Sequence, residues 1–329
     1  MATPVGFQRL AMAALLGVGL TSTVVGCGAA PSEVSSSGSA SASAFEVVAR
    51  YPAKALGLRR PNALALGPDG DLYVTDYRQR VSVISPQGRV LRRWGELGDG
   101  PGQFHFVGPD PSDPTWIAGR LTVSRDGEVY VSDSGNARVQ VFTPDGGFVR
   151  QFGSYGEGDG QFHRPYDLAV DASGDVFVAD DERQMLSGYS ATGQTLWTIG
   201  GTEKDADLVG HFHVGMIDGH GRLLVTNDDQ ARILYIDAEG HKVDVFGGGE
   251  PLVQDGPCDV TVDDLGYTYV SPCGPGSTYV FDRGHQLVAS WPASEGVLVT
   301  APRFGPDGTG YALGIDGSVV VVRATLGRS

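Results

Sequence analysis

Apolar and polar residues alternate along most of this chain in short runs, and turn residues cut the runs apart. Between residues 121 and 152 the runs LTVS, EVYVSD, RVQVF and FVRQF follow one another, with Arg125-Asp126-Gly127 splitting the first pair and Pro144-Asp145-Gly146-Gly147 the last. A period of two over four to eight residues predicts half-buried strands. Asp-Gly between apolar runs predicts tight hairpins, because glycine supplies the positive φ those turns need. Four such strands in succession make one antiparallel sheet.

The pattern recurs. Aligned on the glycine of the first hairpin, the units place Gly70, Gly127, Gly174, Gly221, Gly266 and Gly308 at spacings of 57, 47, 47, 45 and 42 residues. That period suits a propeller blade. Six residues after each glycine stand Asp76, Asp133, Asp180, Asn227, Pro272 and Gly314, which fixes the register. A single four-stranded sheet cannot bury both faces, but six packed radially can. The last unit ends one strand short, after SVVVVRA, while FEVVARY at residues 45–51 resembles the fourth strand VLRRWG of the first unit. The expected fold is therefore all-β: residues 45–329 form a six-bladed β-propeller of four-stranded antiparallel blades, closed by an N-terminal strand.

The repeated phrase G-Q-F-x-x-P, followed by AVD and G-x-VFVAD, together with SDSGNARVQVFTPDG, resembles the NHL repeat across residues 45–329. The resemblance is strongest in the first three units and weakest in the fifth and sixth. It implies a β-propeller, commonly six-bladed. The family includes protein-binding scaffolds, sensor domains, RNA-binding domains and a few lyases, so the likeness specifies fold far better than function.

Charge narrows the choice. The 329 residues carry a formal −15, which argues against nucleic acid as a partner, since such binding needs basic surface to replace counterions. Glycine numbers 49 but without a three-residue period, which excludes collagen and fits many tight turns. Residues 1–26 hold Arg9 and then an apolar run from Leu10 to Leu20, the layout of a secretory signal and short for a membrane span. Val24-Val25-Gly26-Cys27 resembles the lipobox of bacterial lipoproteins, which implies lipidation of Cys27. Residues 27–44 continue as a Ser- and Ala-rich tether. These segments predict a cell-envelope, extracytoplasmic protein, lipid-anchored and touching the membrane through its anchor only.

Inner strands of a propeller begin on the face that carries the strand-two-to-three loops, here called the loop face; the Asp-Gly turns decorate the other, the turn face. In register, Asn62, Arg120, Tyr166, Asp167, His213 and Asp259 should converge near the channel mouth on the loop face and bind a polar ligand. An insert at residues 105–116, rich in Pro and Asp, is a candidate lid there. His105, His163 and His213 follow GQF, GQF and GHF, but they come from successive blades rotated by a sixth of a turn, so they are not expected to share an ion. The NHL lyase that releases amidated peptides holds a channel zinc through histidines from several blades; of these positions only His213 has a counterpart here. No metal and no cofactor is expected, with zinc or calcium the less favoured readings. The acid-rich loops, Asp180, Asp181, Glu182, Asp228 and Asp229 with Glu203, Asp205 and Asp207, read as a solvated rim, while Asp76 with Arg80 and Asp133 with Arg138 read as turn-stabilising pairs. Folding the hairpin about Asp264-Leu265-Gly266 brings Cys258 opposite Cys273 for a disulfide; two free thiols or a soft-metal site are the alternatives. The resulting expectation is a monomeric binding or scaffold protein that takes a protein or cell-envelope ligand on the loop face. A propeller enzyme, a metal-assisted lyase or lactonase, is the alternative, and a purely structural envelope protein is a third reading.

Overall fold

The computed structural model describes residues 44–106, 119–201, 205–292, 298 and 300–327. Residues 1–43, with the signal, Cys27 and most of the tether, lie outside this set, as do 107–118, which include most of the insert, and Glu203. The described strands form six four-stranded antiparallel sheets, each with its strands in chain order from the inside out except at the closure. The first blade runs Pro61–Leu66, Leu72–Asp76, Arg80–Ile84 and Val90–Trp94. The glycines that set the repeat, from Gly70 to Gly308, have φ between 76° and 88°, a region that a Cβ disfavours and that these hairpins require.

Closure is as the sequence implies. Phe45–Tyr51 adds to Val319–Ala324 as the outer strand of the last blade, with Phe45 opposite Ala324 and Tyr51 opposite Val319. The first and last described strands thus pair in one sheet, which closes the ring and leaves the outer edge of Phe45–Tyr51 as a short blade edge like the others.

The core lies between blades rather than within one. Tyr73, Val83 and Phe104 pack with Leu121, Val131 and Phe142 across the first junction, and equivalent clusters fill the others. This explains the repeated GQF phrase. Its phenylalanine, Phe104, Phe162 or (from GHF) Phe212, is buried as a wedge between neighbouring blades. Its glutamine folds back on its own loop: Gln103 Oε1 accepts from Gly100 N at 3.0 Å, and Gln161 Oε1 from Gly158 N at 2.9 Å. A Cβ on Gly95 would stand 2.5 Å from the Phe104 ring, so glycine before this loop is a packing requirement.

The recurrent aspartates also hold the fold. Asp133 is fully buried and accepts from His105 N at 2.7 Å, Asn136 Nδ2 at 2.9 Å, Gln140 Nε2 at 3.0 Å and Arg138 Nε at 2.7 Å. Asp76 collects Arg59 N, Arg78 N and Arg80 in the same way, and Asp180 collects the amides of His163, Arg164 and Arg183. In the first three blades the phrase is repeated because one carboxylate in each satisfies the amides of the loops that lock that blade to the preceding linker.

Candidate functional site

The residues expected at the inner-strand starts do come together. Arg120 is the hub. Its Nε lies 3.1 Å from Asp167 Oδ1, as an ionic contact without the direction of a hydrogen bond. Nη1 donates to the Asn62 carbonyl at 3.2 Å and Nη2 to the Tyr166 hydroxyl at 3.4 Å, while the guanidinium sits 5.1 Å from the Tyr166 ring centre. The second oxygen of Asp167 takes His213 Nδ1 at 2.9 Å, and the His213 ring meets Tyr166 edge-on at 5.7 Å. Four blades thus contribute to one network. The Asn62 side-chain nitrogen is buried there without a hydrogen-bond partner.

Asp259 belongs to a second, adjoining pair. Its carboxylate accepts Ala301 N at 2.9 Å and Arg303 Nη2 at 3.0 Å. Arg303 was not among the expected site residues. A signal for it exists: five residues before each repeat glycine the inner strands carry Ala65, Thr122, Ala169, Met216 and Thr261, and in the sixth blade that column holds an arginine.

Burial and charge act against each other here. Burial disfavours the charge on Arg120, but Asp167, Tyr166 and Asp259 outweigh it and hold the guanidinium above its usual value. His213 follows the same logic: burial opposes its cation, the Asp167 hydrogen bond and charge favour it, Arg120 opposes it, and the net shift is upward. Nearby Asp228 is raised by burial, with His213 lowering and Asp229 raising it further.

The open volume lies on the other side of this layer. A cavity of about 510 Å³ runs from Arg120, Asp167, Asp259 and Arg303 toward the turn face, where Gly67, Asp69, Ser124 and Arg125 form its rim. Leu66, Val123, Met216, Val262 and Phe304 make its walls largely apolar. Three of the six expected residues, Arg120, Asp167 and Asp259, line it; Asn62, Tyr166 and His213 stand behind them toward the loop face. The register of the inner strands gave the layer but not the side on which space remains, because that depends on how the side chains pair with one another.

Cys258 and Cys273 are joined as a disulfide, with their Cα atoms 4.7 Å apart. Among the described residues, two groups of three potential metal ligands have their ligand atoms within 4.8 Å of one another: His213 with the two cysteines, and His211 with Asp228 and Asp229. The disulfide leaves neither sulfur as a thiolate ligand. Neither group contains His105 or His163, whose backbone amides instead bind Asp133 and Asp180. The acidic loops are partly neutralised: Asp205 and Asp207 hold Lys242 at 2.5 and 2.7 Å, and Asp181 pairs with Arg164.

Comparison with known proteins agrees with this architecture. A family model described as a 6-bladed beta-propeller matches residues 117–208. The brain tumor protein of Drosophila melanogaster is 26% identical over 190 residues, covering 55% of this chain and 17% of that protein. The RING finger protein nhl-1 of Caenorhabditis elegans is 34% identical over 105 residues, covering 31% of this chain and 11% of that protein. This chain therefore spans less than a fifth of the length of these two relatives. In structure, a catalytically inactive virginiamycin B lyase from Staphylococcus aureus, solved with quinupristin, superposes with a TM-score of 0.58 at 11% identity, over 85% of this chain and 99% of that one. At that identity the likeness is one of fold. The chain is a six-bladed β-propeller, and its repeats are similar to those of NHL-repeat proteins.

Proposed function

We propose that this chain is an extracytoplasmic binding protein, lipid-anchored at Cys27 in the cell envelope, whose channel takes up a small molecule with an apolar body and a polar head. The supporting observation is the cavity of about 510 Å³, apolar along its walls and floored by Arg120, Asp167, Asp259 and Arg303. Its size falls in the range of small-molecule sites, about 300–1,000 Å³. Each floor arginine has five N–H donors and spends only some of them on its partners. A head group with acceptor oxygens fits the remainder, and the apolar body fits Val123, Met216 and Phe304. Native mass spectrometry of protein purified from its own envelope tests this reading. A stoichiometric small adduct, absent from a Val123→Trp variant whose indole obstructs the channel, is the expected result; bare protein in both preparations would oppose it.

A protein partner on the loop face is the second reading. It is favoured by Leu97 and Tyr155, which occupy equivalent positions before the wedges Phe104 and Phe162 and are 66% and 70% exposed. Two apolar side chains at matched places on adjoining blades offer a docking ridge beside acidic loops. The enzyme alternative, a lyase or lactonase, is supported by fold likeness to a lyase and by the Arg120–Asp167–His213 network. Its polar groups bind one another, which suits holding a ligand better than turning one over.

A further inference from the structure

The disulfide does not stand alone. His213 Nε2 lies 3.5 Å from Cys258 Sγ, and His213 Nδ1 is held by Asp167 Oδ2 at 2.9 Å. Carboxylate, imidazole and sulfur therefore form a line from the channel layer to the hairpin. The two sulfurs differ in setting. Cys258 is half-buried against the imidazole, whereas Cys273 is exposed, with Asp228 Oδ2 4.0 Å from its sulfur.

We propose that Cys258–Cys273 is a thiol–disulfide exchange centre for an external dithiol protein, with Cys273 the sulfur attacked and Cys258 the leaving sulfur received by His213. A thiolate of the partner forms a bond to Cys273 Sγ as the Cys258–Cys273 bond breaks, and the electron pair goes to Cys258 Sγ. The partner's second thiol, deprotonated, then attacks the partner sulfur of the mixed disulfide. This forms the partner's own disulfide and expels the Cys273 thiolate, which takes a proton from water. The partner loses two electrons and two protons in all, and the pair Cys258 and Cys273 gains the electrons.

Geometry sets the direction. Exchange runs fastest when the leaving sulfur is the better thiolate, and a thiolate is stabilised by an adjacent imidazolium. His213 faces Cys258 and not the solvent, and Asp167 on its far nitrogen holds the ring in place. The upward shift of His213 keeps it cationic over a wider pH range. The other charged groups sort the two sulfurs further. Asp228 beside Cys273 disfavours a thiolate there, while Arg120 behind Asp167 moderates the negative charge behind the imidazole.

The test uses the full chain carrying Cys27→Ser, so that two thiols remain after reduction with dithiothreitol. Iodoacetamide alkylation of each cysteine is followed by peptide mass spectrometry across pH. The Cys258 midpoint is expected at least about one pH unit below the ordinary thiol value of about 8.5, with Cys273 at or above that value. His213→Gln is expected to return Cys258 to the ordinary value and to raise the glutathione excess needed to open the disulfide. A Cys258 midpoint at or above the ordinary value in the unsubstituted site overturns the proposal without any appeal to the variant. So does a low midpoint that His213→Gln leaves in place in a folded protein.

Discussion

Phe45 lies directly opposite Ala324 in the blade that joins the two ends of the ring. The Phe45 ring also packs 5.5 Å from Tyr269 and 5.6 Å from Trp291, both in the neighbouring fifth blade. One side chain therefore ties closure to the adjacent core. Phe45→Ala should cost about 3–5 kcal/mol, the usual range for emptying a buried aromatic site. At about 2–4 °C per kcal/mol for a large domain, calorimetry should show the melting temperature falling by roughly 6–20 °C. Deleting residues 45–51 should lower it further. An unchanged melt would mean that this strand does not close the ring.

Asp133 offers a sharper test of why the repeat exists. It is fully buried and takes four donors, one of them the guanidinium of Arg138. Removing the carboxylate strands a buried cation, which typically costs about 3–5 kcal/mol. Urea denaturation of Asp133→Ala should show a loss in that range. Asp126→Ala, at an exposed turn position of the same blade, should lie within about 0.5 kcal/mol of the parent. Equal effects would contradict a special role for the recurrent aspartate.

Stability should depend on pH through His213. Its folded pKa is raised above 6.5, chiefly by Asp167 against the cost of burial. A raised folded pKa means that the contribution is complete below the unfolded value and is lost as pH climbs through the folded one. The urea midpoint of the parent protein should therefore drop, relative to His213→Gln, as pH rises above the ordinary histidine value of about 6.5. Parallel pH profiles for the two proteins would remove His213 as the cause.

Much of this architecture was legible in the sequence because its physical causes are local. Alternation names the strands, Asp-Gly names the hairpins, and the constant offset from Gly70 to Asp76 and from Gly127 to Asp133 gives the register. The missing last strand pointed to residues 45–51, and the hairpin geometry pointed to Cys258 with Cys273. The site was legible only in part. Register placed Asn62, Arg120, Tyr166, Asp167 and His213 in one layer, and the structure joins them. Register could not show that Arg120 would spend itself on Asp167 and Tyr166, that Arg303 would enter from the sixth blade, or that free space would lie toward the turn face. Those outcomes follow from side-chain pairing across blades distant in sequence.

Anchoring is testable separately from folding. If Cys27 carries the lipid, Cys27→Ala should move the protein from the membrane fraction to the soluble extracytoplasmic fraction, with its melting temperature unchanged. Continued membrane retention on fractionation and immunoblotting would count against the anchor.

The most direct measurement for the binding claim is a fluorescence titration with 8-anilinonaphthalene-1-sulfonate, whose rings and sulfonate match the apolar walls and the arginine-bearing floor. The parent protein should show one saturable site. Val123→Trp should weaken it by obstructing the channel, and Arg303→Met should weaken it by about tenfold, equivalent to about 1.4 kcal/mol, while both variants keep the parent's circular dichroism. No saturable site in the parent, or the same affinity in all three proteins, would contradict a ligand-binding channel.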